Sequence, residues 1–249
     1  GLVWTLCTRI DHKAHFGDGT AWGMEISYSH EQTPLGTGGC LRLASSRLEG
    51  ERFVVLNGDS YCPVDVGLLQ RTHVLNAADA TLWLVEVPDC SRYGAVEVDA
   101  SNRVVSFHEK GDRAGSGLIN AGIYLFERRV MERIPGWGAV SLETAVFPGL
   151  LGGGLSAVVG NGPFLDIGTP EDYLRATQYL EREFESQLSV RFVFLVNSQE
   201  VLAEFYADRI LARFDYPDPN QHSPSRDQTT TPLQKLFVLI RAEVVAEAV

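Results

Sequence analysis

The chain has 249 residues, 45% hydrophobic and 21% charged, a globular composition that excludes a wholly disordered or fibrous protein. Its 32 acidic residues against 21 Lys and Arg give a formal net charge of -11, so nucleic acid and anionic membranes are not expected as partners. The longest apolar runs, such as Phe53 to Leu56 and Leu236 to Ile240, fall far short of the roughly 20 residues of a membrane span. Four widely spaced cysteines, Cys7, Cys40, Cys62 and Cys90, form no metal or disulfide pattern and are expected as free thiols in a reducing cytoplasm. The chain opens on Gly1 and reads as a cut end without a targeting segment.

Leu2 to Cys7 reads as a short buried strand and Asp11 to His15 as a short helix, ended by the turn cluster Phe16-Gly17-Asp18-Gly19. Met24 to Tyr28 is strand-like, Gly36 to Gly39 a glycine loop, and Cys40 to Leu48 a helix with Leu41, Ala44 and Leu48 on one face. Phe53 to Leu56 is a continuous apolar strand that stops in Asn57-Gly58-Asp59-Ser60, the pattern of a parallel strand buried on both faces. Val66 to Leu75 suits a helix and Ala80 to Val87 another apolar strand. This alternation predicts an open α/β sheet whose ligands bind outside the carboxyl ends of its strands.

From Gly94 the segments shorten. Gly94 to Val98, Val104 to His108 and Leu118 to Phe126 read as hairpin-like strands in an antiparallel or mixed extension. Ser141 is predicted to cap a helix reaching Val146, Leu155 to Val159 is another strand, and Thr169-Pro170-Glu171-Asp172 opens a further helix. Composition shifts after Gln187, dividing the chain into a domain over 1–187 and an extension over 188–249. In the extension, Val190 to Val196 is strand-like, Gln199 to Phe214 helical, 216–232 a linker, and Leu233 to Val249 an amphipathic helix.

Asp59, directly after an apolar strand, and Asp166, between Phe164-Leu165 and Ile167-Gly168, are candidates to face one crevice. Paired carboxylates there suit Mg²⁺, which takes a few protein oxygens plus substrate phosphates; capping of local turns is the competing reading, since Asp favours turns. Pro34-Leu35-Gly36-Thr37-Gly38-Gly39 offers backbone amides to a base or phosphate, although glycine turns are also common punctuation. Glu109-Lys110 alone is the pattern of a solvated surface pair. Asn120, within an apolar strand, needs hydrogen-bond partners, which sugar hydroxyls or backbone carbonyls would supply.

Taken in order, Pro34 to Gly39, Leu56-Asn57-Gly58-Asp59, Arg92-Tyr93-Gly94, Glu109-Lys110, Gly117-Leu118-Ile119-Asn120-Ala121-Gly122 and Asp166-Ile167-Gly168-Thr169-Pro170-Glu171-Asp172-Tyr173 resemble the sugar-1-phosphate nucleotidyltransferase family. The resemblance runs from about Phe16 to Tyr179; residues Leu2 to Lys13 match poorly and those after Gln187 not at all. Phe16-Gly17-Asp18-Gly19 and Ser91-Arg92-Tyr93-Gly94 look closest to the heptose 1-phosphate guanylyltransferase branch, with mannose-1-phosphate guanylyltransferases and glucose-1-phosphate thymidylyltransferases also similar.

The resemblance implies a Rossmann-like mixed sheet with helices on both faces. It also implies a reaction in which a sugar 1-phosphate attacks the α-phosphate of a nucleoside triphosphate, GTP favoured, and releases pyrophosphate. On that carry-over Asp59 and Asp166 hold Mg²⁺ and, with Lys110, are catalytic; Leu35, Gly36, Thr37, Gly38, Gly39, Asn57 and Gly58 contact the nucleotide; and Tyr93, Gly94, Glu109, Lys110 and Asn120 line the sugar-phosphate pocket. A cytoplasmic enzyme of nucleotide-sugar supply for lipopolysaccharide or other cell-surface polysaccharide is implied, with a homo-oligomer open. The family's opening Gly-Gly-x-Gly-Thr-Arg-Leu loop and following Lys-Pro do not occur in these residues, which implies an N-terminally truncated fold without its central strand and with little activity. A non-catalytic sugar-nucleotide-binding subunit is therefore the alternative. A glycosyltransferase is disfavoured because Asn57-Gly58-Asp59 lacks an Asp-x-Asp pair.

Overall fold

Alternating side chains on one central strand, Ala80–Val87, divide the interior into two cores and decide where each helix packs. The computed structural model describes residues 2–6, 16–20, 25–48, 50–108, 110–167, 172, 175, 176, 178 and 179. The expected helix over 11–15, the helix opening at Thr169, Glu109, Cys7 and every element expected after Gln187 lie outside the described residues.

The strands are β1 (Leu2–Leu6), β2 (Glu25–Ser29), β3 (Arg52–Leu56), β4 (Ser60–Tyr61), β5 (Ala80–Val87), β6 (Val96–Val98), β7 (Val104–Phe107), β8 (Gly117–Glu127), β9 (Leu155–Gly160) and β10 (Leu165–Asp166); α1 spans Gly36–Ala44 and α2 Val66–Leu75. Four strands form one mixed sheet in the order β3-β8-β5-β9. β8 runs antiparallel to both β3 and β5, whereas β5 and β9 are parallel. β1 and β2 form a parallel pair, β6 and β7 an antiparallel hairpin, and β4 and β10 a two-residue antiparallel pair.

Ala80, Leu82 and Leu84 of β5 join Tyr124 and Phe126 of β8, Leu155 and Ala157 of β9, and Cys40, Leu41 and Ala44 of α1 in one core. Trp83 and Val85 face the opposite side with Ile119, Ile123, Leu125, Val158 and Leu69 of α2. Each such Leu or Ile contributes about 1.5 to 3 kcal/mol by leaving water. The period-2 alternation of β5 thus places α1 on one face and α2 on the other, as a two-sided α/β sheet requires.

α2 is capped by Asp65, which accepts from Leu68 N at 2.8 Å. His73, 1% exposed, locks the helix to the sheet. Its Nδ1 lies 2.8 Å from Thr81 Oγ1 and its Nε2 3.3 Å from Glu127 Oε1, which also accepts from Arg52 Nε at 2.9 Å. Burial lowers the His73 pKa, so the ring is neutral, and the Nε2–H tautomer accepts from Thr81 while donating to Glu127.

Three expectations change. The strand over Phe53 to Leu56, read as parallel and buried on both faces, is antiparallel to β8 and ends the described four-stranded sheet, where it has no second neighbour to cover it. The segment read as Leu118 to Phe126 does not sit in a peripheral extension: β8 lies inside the main sheet between β3 and β5, because its apolar residues serve both cores. Gly36 to Gly39 is not a loop but the first turn of α1, and the helix expected over Cys40 to Leu48 ends at Ala44, followed by a 3₁₀ turn over Ser45–Arg47. Cys40, Cys62 and Cys90 are free and buried, and burial raises the Cys62 thiol to about 11.

Candidate active site

The site is assembled where β3 ends. Asn57 N donates to Gly122 O at 2.7 Å, fixing the turn that carries Gly58 and Asp59 beside β8. Ile167 N donates to Asp59 O at 3.0 Å, and β4 pairs with β10 so that Ser60 opposes Asp166. Two distant carboxylates thereby meet. Burial raises the Asp59 pKa to about 6, the Asp166 charge adds to the rise, Lys110 opposes it, and Glu143 adds a smaller increase. A low-dielectric site with two like charges is what a hard divalent cation neutralises. Among the described residues no group of three or more His, Cys, Asp or Glu gathers to hold a metal. A pair of carboxylates fits a cation whose remaining ligands would be water and phosphate oxygens.

β8 shapes the adjoining wall through a bulge. Opposite β5, Trp83 pairs with Ile123 but the next residue, Leu84, pairs with Asn120, leaving Ala121 and Gly122 as extra residues. Gly122 has φ +75°, and a Cβ there would lie 2.7 Å from Asn57 Nδ2, so the strand can approach the Asp59 turn only as glycine. Ser60 Oγ donates to Ala121 O at 3.3 Å. Asn120 is satisfied within the protein: Nδ2 donates to Tyr124 Oη at 2.8 Å and Glu143 Oε1 at 2.9 Å, and Oδ1 accepts from Gly122 N at 3.0 Å. The sequence-based alternatives were sugar hydroxyls or backbone carbonyls; the partners are instead a phenol, a carboxylate and a backbone amide.

Tyr93 and Gly94 lie on a turn in which both amides donate to Cys90 O, at 3.0 and 3.1 Å. The Tyr93 ring meets Phe164 edge-on at 5.4 Å, and Asp166 contributes to the rise in its pKa, after burial. Arg92 stacks over the Tyr93 ring and donates to Asp172 Oδ2 at 2.5 Å, while Arg175 donates to Asp172 Oδ1 at 2.5 Å. Asp172 is 2% exposed, so a buried carboxylate between two guanidiniums joins the Tyr93 turn to the segment beyond Asp166. Lys110 is exposed and acts on Asp59 through its charge.

The glycine turn is positioned differently from its expectation. Gly38 N and Gly39 N donate to Val140 O at 2.8 and 3.4 Å, and Val140 N donates to Leu35 O at 2.7 Å. A Cβ on Gly36, with φ +71°, would sit 2.6 Å from Val140 O. The glycines are thus required by close backbone packing, and two of the amides expected to face a ligand already have partners. Thr37 Oγ1 accepts from Leu142 N at 2.9 Å, so the turn holds the segment that carries Glu143. Sequence reasoning did not assign Glu143, Tyr124 or the Arg92–Asp172 pair to the site. Ser141, read from the sequence as a cap, does accept from Thr144 N, and it was the available signal that the next turn is fixed in place.

The Nucleotidyl transferase family matches residues 2–183, and the chain belongs to this family. The match includes the Leu2 to Lys13 stretch that the motifs alone had left out. Mannose-1-phosphate guanylyltransferase of Mycobacterium tuberculosis (strain ATCC 25618 / H37Rv) is 42% identical over 173 residues, 68% of this chain and 48% of that protein. D-glycero-alpha-D-manno-heptose 1-phosphate guanylyltransferase of Aneurinibacillus thermoaerophilus is 34% identical over 160 residues, 64% of this chain and 69% of that protein. The crystal structure of HddC from Yersinia pseudotuberculosis complexed with GMP-PN superposes with a TM-score of 0.56 at 35% identity, covering 63% of this chain and 67% of that one. The chain spans about half the length of the mannose-1-phosphate guanylyltransferases it matches.

Proposed function

We propose that the chain carries a guanylyl group from GTP to a sugar 1-phosphate, forming a GDP-sugar of the mannose or heptose type and pyrophosphate. The observation that carries the reading is the convergence of Asp59 and Asp166 at the end of β3, in a chain of the Nucleotidyl transferase family. The guanylyltransferase names of the relatives and the GMP-PN bound to HddC support the choice of base.

In this reading an oxygen of the sugar phosphate attacks the α-phosphorus in line, and the bond to pyrophosphate breaks. Asp59 and Asp166 would hold Mg²⁺, which when bound supplies charge neutralisation of the phosphates. Asp59 and Asp166 must both be ionised for this, and Lys110 favours the ionised form of Asp59. Leu35, Gly36, Thr37, Gly38 and Gly39 shape the nucleotide side through the Val140 contact, with Asn57 and Gly58 on the turn beside it. Tyr93, Gly94, Glu109, Lys110 and Asn120 are assigned to the sugar-phosphate side. Orientation and electrostatics carry the rate, with no covalent intermediate on the protein.

Residues 1–187 are the nucleotidyltransferase unit, supported by a family match that ends at residue 183, and 188–249 are an extension outside it. A cytoplasmic role in nucleotide-sugar supply for cell-surface polysaccharide follows from the proposed substrates. No described helix is long and apolar enough to cross a membrane.

The test is pyrophosphate release by the 249-residue chain from GTP with mannose 1-phosphate or heptose 1-phosphate, with and without Mg²⁺. Release that needs both substrates and the cation supports transfer. Tight GDP-sugar binding without release replaces the reading with a binding role, and neither binding nor release overturns it.

A further inference from the structure

Asn120 has little hydrogen-bonding capacity left to offer a ligand. An amide has two N–H donors and one oxygen with two lone pairs. Both donors are used, at Tyr124 and Glu143, and the oxygen already accepts from Gly122 N. Tyr124 is 2% exposed, so its hydroxyl is a fixed internal partner. Glu143 is the opposite case. It is exposed, and a carboxylate offers about four acceptor sites, of which Asn120 uses one.

The Glu143 side chain stands on a fixed base. The Leu142–Val146 turn is a single π-helical turn, capped by Ser141 and tied to α1 through Leu142 N and Thr37 Oγ1 at 2.9 Å. Such turns are rare and frequently found at functional sites. The carboxylate is close enough to Asp59 and Tyr124 for its charge to act on both.

Resting on the transfer reading, we infer that Glu143 is the sugar-recognition group of this site, accepting hydrogen bonds from ring hydroxyls of the sugar 1-phosphate, and that Asn120 is a positioning residue that aims it. Hydroxyls are donors to which a fixed carboxylate gives strong, charge-assisted bonds. The phosphate of the same ligand is repelled by Glu143 and is left to Lys110 and the cation. A carboxylate facing the sugar and a cation facing the phosphate give the ligand a single orientation.

The experiment is calorimetric titration of the full chain with α-D-mannose 1-phosphate, its 2-deoxy and 3-deoxy analogues, inorganic phosphate and GTP. It is done on the wild type, Glu143→Gln, Asn120→Ala and the double variant. Glu143 is exposed, so Glu143→Gln is expected to fold, and melting curves check all variants. Losing a hydrogen bond to a charged acceptor weakens mannose 1-phosphate about tenfold or more, and the wild type's preference for mannose 1-phosphate over at least one deoxy analogue shrinks by the same factor. Inorganic phosphate binding does not weaken, because the substitution only removes a repelling charge, and GTP affinity stays unchanged. Asn120→Ala gives a smaller loss that adds little to Glu143→Gln. Wild-type sugar discrimination in Glu143→Gln overturns the inference, as does a loss that falls on GTP instead. A wild type that binds no sugar 1-phosphate overturns the transfer reading as well, which separates the two failures.

Discussion

Replacing Asp59 by Asn removes a charge that the folded protein holds at a cost. Its pKa rises from 3.8 to about 6, through burial first and the neighbouring Asp166 second. In the folded state the carboxyl keeps its proton up to about pH 6, whereas the unfolded chain releases it near pH 4, so this group's contribution to stability falls as pH rises through that window. A shift of about two units at about 1.4 kcal/mol each is about 3 kcal/mol, and solvent screening at a half-buried site brings it to about 2. Asp59→Asn, which has the shape of the protonated acid, should match the wild type at pH 4 and exceed it by about 2 kcal/mol above pH 6.5. At about 2 to 4 °C per kcal/mol for a domain of this size, the melting point should rise by about 4 to 8 °C at pH 7. Urea unfolding in EDTA at half-unit steps from pH 4 to 8 measures the difference curve. Equal stabilities at pH 7, or a difference as large at pH 4 as at pH 7, would refute the placement of Asp59 against Asp166. The same variant should lose nucleotidyl transfer, a gain in stability at the expense of chemistry.

Adding millimolar Mg²⁺ should stabilise the wild type more than Asp59→Asn and so narrow that gap; an equal shift in both proteins would mean the cation binds elsewhere. Gly36→Ala should destabilise by about 2 kcal/mol or more, since it combines a positive φ with a Cβ 2.6 Å from Val140 O, and chemical denaturation at constant m-value checks it. Gly160→Ala should be worse, because its Cβ would fall 2.3 Å from the buried Trp83 ring; a soluble variant with an unchanged fluorescence spectrum would contradict the β5–β9 packing. His73→Ala should cost about 2 to 4 kcal/mol by leaving a cavity and stripping Thr81 and Glu127 of a partner. Because the folded His73 pKa lies below 6.5, its contribution is complete above that pH and is lost in acid, so the cost of the substitution should shrink as pH falls.

Segments with a strong local pattern were legible in the sequence. The helix Val66–Leu75 and the strand Ala80–Val87 have the expected bounds, because a capping Asp65 and a continuous apolar run leave few alternatives. The place of β8 was not legible: its composition suits an edge or a centre, and only pairing with β3 and β5, far away in the chain, decides. The glycines of 36–39 looked like ligand-facing loop because nothing local reveals Val140 as the backbone they must clear. Asp59 and Asp166 were picked out by their positions after apolar runs as candidates to face one crevice, but what brings them together is the two-residue pairing of β4 with β10, which has no sequence signature. Glu143 looked like an ordinary first-turn acid, favoured by the helix dipole. It accepts from an amide on another element, and bonds between residues far apart in the chain leave no periodic trace.

The extra residues in β8 number two, and the parity matters. Ile119, Ala121, Ile123 and Leu125 all face the α2 core, while Tyr124 and Phe126 face the α1 core, so the alternation of the strand passes through the irregularity undisturbed. An insertion of one residue would have turned Gly117 to Asn120 inside out, driving Ile119 into the opposite layer. An insertion of two leaves both interiors as they were and adds only length, directed at the Asp59 turn. A sheet of this kind can acquire or lose a functional protrusion in a single even step without repacking anything beneath it, so the chemistry and the scaffold are free to change on separate schedules.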